Sequence, residues 1–133
     1  MIPLEFTIKG PPISQQASSR SRRRWKTAVA NAASAVIPAG AMPTPDDVAL
    51  SITYYYDGDT PDVDNIIKPI QDALIGIVYQ DDSQVVETKA SKTRIDGSFI
   101  IRGASAVLLL AFSNRDAFVH IKVANPPDLR KLQ

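Results

Sequence analysis

The stretch from Asp62 to Val78 constrains this chain more than any other. At about 100° per residue, Ile66, Ile67, Ile70, Ala73, Leu74 and Ile77 gather on one side of a helix, and Asp64, Asn65, Lys68 and Asp72 gather on the opposite side. A stripe of branched aliphatics has to be buried against a sheet or a second helix. The opposite line of charges is then fixed in orientation by the burial of the first. Asp62 or Asp64 can cap this helix, and acids at its start suit the helix dipole. Pro69 lies inside it and predicts a kink, because an interior proline removes one backbone hydrogen bond.

Strand signals surround this helix. Residues 2–9 alternate apolar and polar and read as a strand that stops at Gly10-Pro11-Pro12. Val48, Leu50, Ile52, Tyr54 and Tyr56 alternate strictly, and Gln84 to Thr93 alternates again. Phe118 to Val123 forms a last strand, and Phe99-Ile100-Ile101 can extend the sheet as a short piece. Trp25, Val29, Ala32, Ala33 and Val36 recur at helical spacing, predicting a helix over about 21–37. The Ser-, Gln- and Arg-rich run from Ser14 to Arg24 has no apolar period and reads as a mobile loop leading into that helix. Ala106 to Phe112 reads as a short helix, and Pro126-Pro127 opens a fraying tail. The order β-α-β-α-β-(α)-β predicts an α/β (α+β) fold, a mixed β-sheet with helices packed against it. No internal repeat or long linker divides it, so residues 1–133 read as a single domain.

Composition removes several classes of function. With no cysteine, disulfide frameworks, thiolate metal sites and thiol catalysis are excluded, and the single His120 excludes a site built from two imidazoles. His120 itself reads as a packed or surface histidine. The N-terminus lacks the basic region of a signal peptide, and the longest apolar run, Ala106 to Phe112, is far short of the ~20 residues of a membrane helix. A cytoplasmic protein without a membrane partner is expected. Fifteen Lys and Arg against fourteen Asp and Glu leave a net charge of +1, but the distribution is uneven. Residues 57–82 carry seven aspartates and one lysine, while 20–26 read Arg-Ser-Arg-Arg-Arg-Trp-Lys. Arg20, Arg22, Arg23, Arg24 and Lys26 suit contacts with DNA phosphates.

The acidic island has a recognisable chemistry. Asp62 and Asp64 stand at a helix entry, Lys68 and Asp72 follow along one stripe, and Asp81-Asp82 arrives at the next turn. Bringing such carboxylates together without a cation costs several kcal/mol in repulsion. Oxygen-only donors of this kind suit Mg²⁺ or Mn²⁺, ions that serve in phosphoryl transfer. A lysine in the cluster can hold a carboxylate, contact a phosphate or stabilise a transition state. An EF-hand loop starting at Asp57 fails, since its sixth position is Asp62 instead of Gly and its twelfth is Lys68 instead of Glu. No phosphate-cradling glycine loop, nucleophile elbow or HExxH motif is present.

The residues Asp62-Val63-Asp64-Asn65-Ile66-Ile67-Lys68, Asp72-Ala73-Leu74 and Asp81-Asp82-Ser83-Gln84-Val85 resemble the RusA family of Holliday junction resolvases. The resemblance is dense over about 62–89 and looser from 2 to 61. It implies a small homodimeric enzyme that cuts branched DNA with a divalent metal, and cytoplasmic work on the nucleoid in recombination and repair. The three catalytic aspartates would be Asp62, Asp64 and Asp82, with Lys68 as the essential lysine. Asp62, Asp64, Asp81 and Asp82 would form the metal set, with Mg²⁺ the expected ion and Mn²⁺ a substitute. DNA would be held by Arg20, Arg22, Arg23, Arg24, Lys26 and Lys68. A noncatalytic or broader-specificity branched-DNA-binding protein of the same fold is the alternative. Residues 96–116 look like an insertion between the last two strands.

Overall fold

The computed structural model describes residues 1–14, 16–58, 62–95, 105–113 and 116–128. Four strands, β1 (Leu4–Lys9), β2 (Val48–Tyr56), β3 (Val85–Arg94) and β4 (Phe118–Ala124), form one sheet in the order β1-β4-β2-β3. Strand β4 pairs antiparallel with both β1 and β2, whereas β2 and β3 run parallel. The sheet is therefore mixed, as the pattern of elements predicts. The piece at Phe99–Ile101 and most of the 96–116 insertion lie outside the described residues.

Register turns the alternation of each strand into one continuous apolar face. Leu4 and Leu50 both pair with Val123, Phe6 and Ile52 with Ile121, and Ile8 and Tyr54 with Val119. All of these side chains are buried. Two helices, α1 (Ser19–Val36) and α2 (Val63–Ala73), bury their apolar faces in the same core through Trp25, Val29, Ala33, Ile66, Ile70 and Ala73. Parallel strands cannot be joined by a hairpin, and α2 supplies the crossover from β2 to β3. Pro69 sits inside α2, which continues past it.

Two boundaries differ from the sequence reading. Helix α2 stops at Ala73, short of Val78, because Gly76 adopts a left-handed φ of 81° and its N–H bonds the Tyr79 carbonyl at 2.7 Å. Helix α1 begins at Ser19, so Arg20 to Lys26 lie in its first two turns and not on a mobile loop. Ser18 caps it, its Oγ accepting the Ser21 N–H at 3.2 Å. Hydrophobic periodicity cannot register such a start, since the cap is made by a serine hydroxyl and the following arginines are good helix formers.

The second face of the sheet carries a third helix, α3 (Ala106–Ser113). Phe112 meets Tyr55 with ring centroids 4.8 Å apart and Phe118 at 5.3 Å, both edge-on. The start of α3 is held by polar groups. Ser105 accepts the Leu108 N–H and donates to Glu5 Oε2 at 2.7 Å, and His120 meets the same Glu5 oxygen. His120 and Glu5 are diagonal neighbours across β1 and β4, since Thr7 pairs with His120 and Glu5 with Lys122. Partial burial pushes the Glu5 carboxyl up. The hydrogen bonds from Ser105 and His120 and the nearby His120 and Lys122 charges outweigh it and hold the group below its ordinary value of 4.5.

A depressed carboxyl stabilises the fold only while it is ionised. The Glu5 contribution is complete above its ordinary value and is lost as pH falls through its lower folded-state value. Glu5→Gln should therefore be less stable than wild type near neutrality, with the gap narrowing as the solution is acidified below about pH 4. Denaturant melts of both proteins across the acid range measure this directly.

Candidate active site

Helix α2 and the turn after it present the acidic residues. Asp62 is the N-cap of α2, yet its side chain makes no capping hydrogen bond, and Asp64 follows in the first turn. Four residues is about 6 Å of helix rise, so Lys68 stands one turn beyond Asp64 and Asp72 one turn beyond Lys68. Lys68 is the hub. Its Nζ donates to Asp72 Oδ1 at 3.0 Å and to Asp82 Oδ2 at 3.1 Å. The second Asp72 oxygen, Oδ2, lies 3.8 Å from Lys26 Nζ of α1. The charges thus run Lys26–Asp72–Lys68–Asp82 across two helices and a turn.

This arrangement fixes the protonation of the lysine. The hydrogen bonds to Asp72 and then to Asp82, helped by the charges of both, hold the Lys68 ammonium above its ordinary value of 10.5. Lys68 is therefore a cation throughout the neutral range. It can stabilise negative charge but cannot act as a general base.

Asp81 and Asp82 are neighbours with different tasks. Asp82 opens a 3₁₀ turn, Asp82–Gln84, and aims its carboxylate at Lys68. Asp81 caps that turn, its Oδ2 accepting the Ser83 N–H at 3.3 Å and the Ser83 hydroxyl at 2.5 Å. These bonds from Ser83 hold the Asp81 carboxyl below its ordinary range. Gln84 completes a capping box, its Oε1 accepting the Gln80 N–H at 2.8 Å and the Asp81 N–H at 3.0 Å. Its Nε2 donates to the Thr44 and Asp46 carbonyls at 2.8 and 2.7 Å, tying the acidic turn to the segment before β2.

Tyr79 locks the other side. It is wholly buried, and its hydroxyl donates to the Gln71 carbonyl at 2.6 Å, joining the acidic turn to the last turn of α2. Burial, with the charges of Asp72 and Asp82, drives its ionisation far above the ordinary phenol range, so the hydroxyl remains a donor. Gln71 in turn donates to the Thr88 hydroxyl at 3.1 Å, fixing α2 against β3. The sequence reading missed the tasks of Tyr79 and Gln84. An aromatic ending an apolar run just before the acidic pair, and a glutamine three residues after Asp81, were the available signals.

The structure thus brings Lys68, Asp72 and Asp82 into direct contact and adds Lys26, which the sequence places only with the DNA-facing cations. Asp64 lies one turn before Lys68 on the same stripe of α2, and Asp62 is the N-cap ahead of it; both are exposed. Among the described residues, no three acidic side chains converge as a ready coordinating group. Arg20, Arg23 and Arg24 are exposed on the first turns of α1, and Arg22 is half-buried.

Comparison with known proteins adds two findings. The family model described as Endodeoxyribonuclease RusA matches residues 9–100, more than half of the chain. A stretch of 32 residues is 59% identical to the uncharacterized protein YqaN of Bacillus subtilis (strain 168). That stretch is 24% of this chain and spans only 22% of the length of that relative.

If Gln84 is what fixes the acidic turn, Gln84→Ala should lower stability by about 1 kcal/mol, because its hydrogen bonds to the half-buried Thr44 and to the exposed Gln80, Asp81 and Asp46 are lost together. Amide exchange at Gln80 and Asp81 should accelerate beyond the global change. Hydrogen exchange read residue by residue, beside a denaturant melt, tests both.

Proposed function

The chain belongs to the RusA endodeoxyribonuclease family, and from that premise we propose that it is a metal-dependent, structure-specific endonuclease that resolves four-way DNA junctions by paired phosphodiester cuts. The observation that carries this reading is the Lys68 ammonium, held between Asp72 and Asp82 one turn after the acid-bearing start of α2. A cation held in that way is suited to a developing phosphorane or phosphate charge.

Asp62, Asp64 and Asp82 would hold Mg²⁺ or Mn²⁺, with Asp81 in support. The fit rests on an all-oxygen donor set and on an Asp62 side chain not engaged in capping its own helix. When bound, such an ion activates a water and stabilises the leaving oxygen in an in-line displacement. The chain's own residues do the rest. Lys68 orients the scissile phosphate or neutralises charge in the transition state. Asp81, Ser83 and Gln84 hold the turn that keeps Asp82 in reach.

An acidic site repels a polyanion, so the substrate must be held by cations elsewhere. Arg20, Arg22, Arg23, Arg24 and Lys26, on the first two turns of α1, are proposed to take the phosphates on either side of the cut. We also propose a homodimer, which would offer two sites to a junction of nearly two-fold symmetry. Helix α3 supports it, since Leu109 and Leu110 are 47% and 70% exposed on a helix with no polar face. Work in the cytoplasm, on the nucleoid, is part of the same proposal. Among the described residues no helix is long and apolar enough to cross a membrane.

Asp62→Asn, Asp64→Asn and Asp82→Asn should each reduce cleavage of a synthetic four-way junction in Mg²⁺ by at least about a hundredfold, with junction binding equal or tighter. Undiminished cleavage by all three defeats the assignment, and a wild type that binds junctions in any divalent ion without cutting them is a noncatalytic module.

The arginine surface makes a separate demand. Replacing Arg22, Arg23 and Arg24 by Ala should weaken binding to every DNA shape and flatten the log–log salt dependence by up to about 0.9 for each phosphate left without its cation. Cleavage at saturating DNA should persist. A filter-binding titration over a range of salt concentrations decides it, and an unchanged slope would move the DNA surface elsewhere.

A further inference from the structure

Asp72 is poorly placed to serve its own helix. It sits in the last turn of α2, where a carboxylate faces the negative end of the helix dipole, and no basic residue shares that turn. Its helical partner Lys68 precedes it, and a base four residues before an acid is the weaker order for such a pair. Yet Asp72 takes the shorter of the two Lys68 hydrogen bonds, and its other oxygen faces Lys26. Its two oxygens are thus each turned to a cation, one from each helix.

The other Lys68 partner has a competing duty. Asp82 Oδ2 accepts from the ammonium at 3.1 Å, and an ammonium at that distance opposes the approach of a divalent cation to the same oxygen. For Asp82 to take a metal, Lys68 must loosen from it without leaving the site. We infer that Asp72 is the positioning residue that makes this exchange workable: it anchors Lys68 while Asp82 changes partner, and Lys26 balances the charge on its second oxygen. This inference rests on the nuclease reading above and deepens it, since it assigns a residue that acts on the reaction only through Lys68.

Removing the anchor leaves Lys68 with Asp82 as its remaining acidic partner among the described residues, so the ammonium competes harder with metal. Asp72→Asn should weaken Mn²⁺ binding to the DNA-free protein about three- to tenfold, the range of a partly exposed ion pair. It should lower kcat for junction cleavage more than it raises KM. Its thermal midpoint should be unchanged or higher, because an ill-placed helix charge has gone. Asp72→Glu, which keeps the charge, should recover part of the rate.

The decisive comparison is a double-mutant cycle with Lys68→Ala, read by calorimetric Mn²⁺ titration. Lys68→Ala should bind Mn²⁺ at least as tightly as wild type, and adding Asp72→Asn to it should change little. If Asp72→Asn weakens Mn²⁺ binding equally with and without Lys68, Asp72 acts on the metal itself and the inference is wrong. It is equally wrong if Asp72→Asn binds and cuts like wild type, or if its only effect is a lower thermal midpoint. A wild type that neither binds Mn²⁺ nor cuts junctions overturns the nuclease reading first and this inference with it, an outcome that needs no variant to recognise.

Discussion

Parallel pairing of β2 with β3 is the constraint from which the rest of this molecule follows. Two parallel neighbours require the chain to travel back along the whole sheet between them, and α2 makes that journey. The helix therefore begins near the end of β2 and finishes near the start of β3. Every acidic residue of interest lies on this one crossover: Asp62 and Asp64 where it opens, Asp72 where it closes, Asp81 and Asp82 where it re-enters the sheet. A hairpin between β2 and β3 would have had no room for them. The burial of Ile66 and Ile70 then fixes the rotation of α2, and with it the direction in which Lys68 leaves the surface.

What holds the site together is a set of polar locks whose residues are chemically inert. Tyr79 closes the acidic turn onto the carbonyl of Gln71, and Gln84 closes it onto Thr44 and Asp46. Each lock uses a neutral group, so neither adds to a cluster that is already crowded with charge. An aspartate or lysine in either place would have altered the balance around Lys68, and burying its charge would have carried a desolvation cost.

The strands and the apolar face of α2 were legible because period-two and period-3.6 patterns are written by burial, and burial decides them in the structure too. The start of α1 was legible only to within a few residues, and the arginines at its entry read as loop, because a capping serine and a row of arginines carry no periodic signal. The end of α2 was obscured for a related reason: Leu74, Ile77 and Val78 continue the apolar count although Gly76 has already turned the backbone. The site was readable as a spacing of residues but not as a set of contacts. Lys68 and Asp82 are fourteen residues apart, and nothing in the spacing distinguishes a carboxylate that faces a lysine from its neighbour that caps a turn. Tertiary folding makes that division of labour between Asp82 and Asp81.

The first turns of α1 have a thermodynamic consequence. Helix N-termini carry a partial positive charge, and here that end holds Arg20, Arg22 and Arg23 with no acid in the first turn to offset them. Like charge pressed on like charge leaves this end of the helix under electrostatic load in the isolated protein. Added salt relieves the load by screening, and a polyanion relieves it further by neutralisation. If α1 takes phosphates as proposed, its ordering and their capture would draw on the same free energy. A ligand that binds only the folded helix raises its stability by mass action, so the N-terminal third of this chain should be most completely folded when it is occupied.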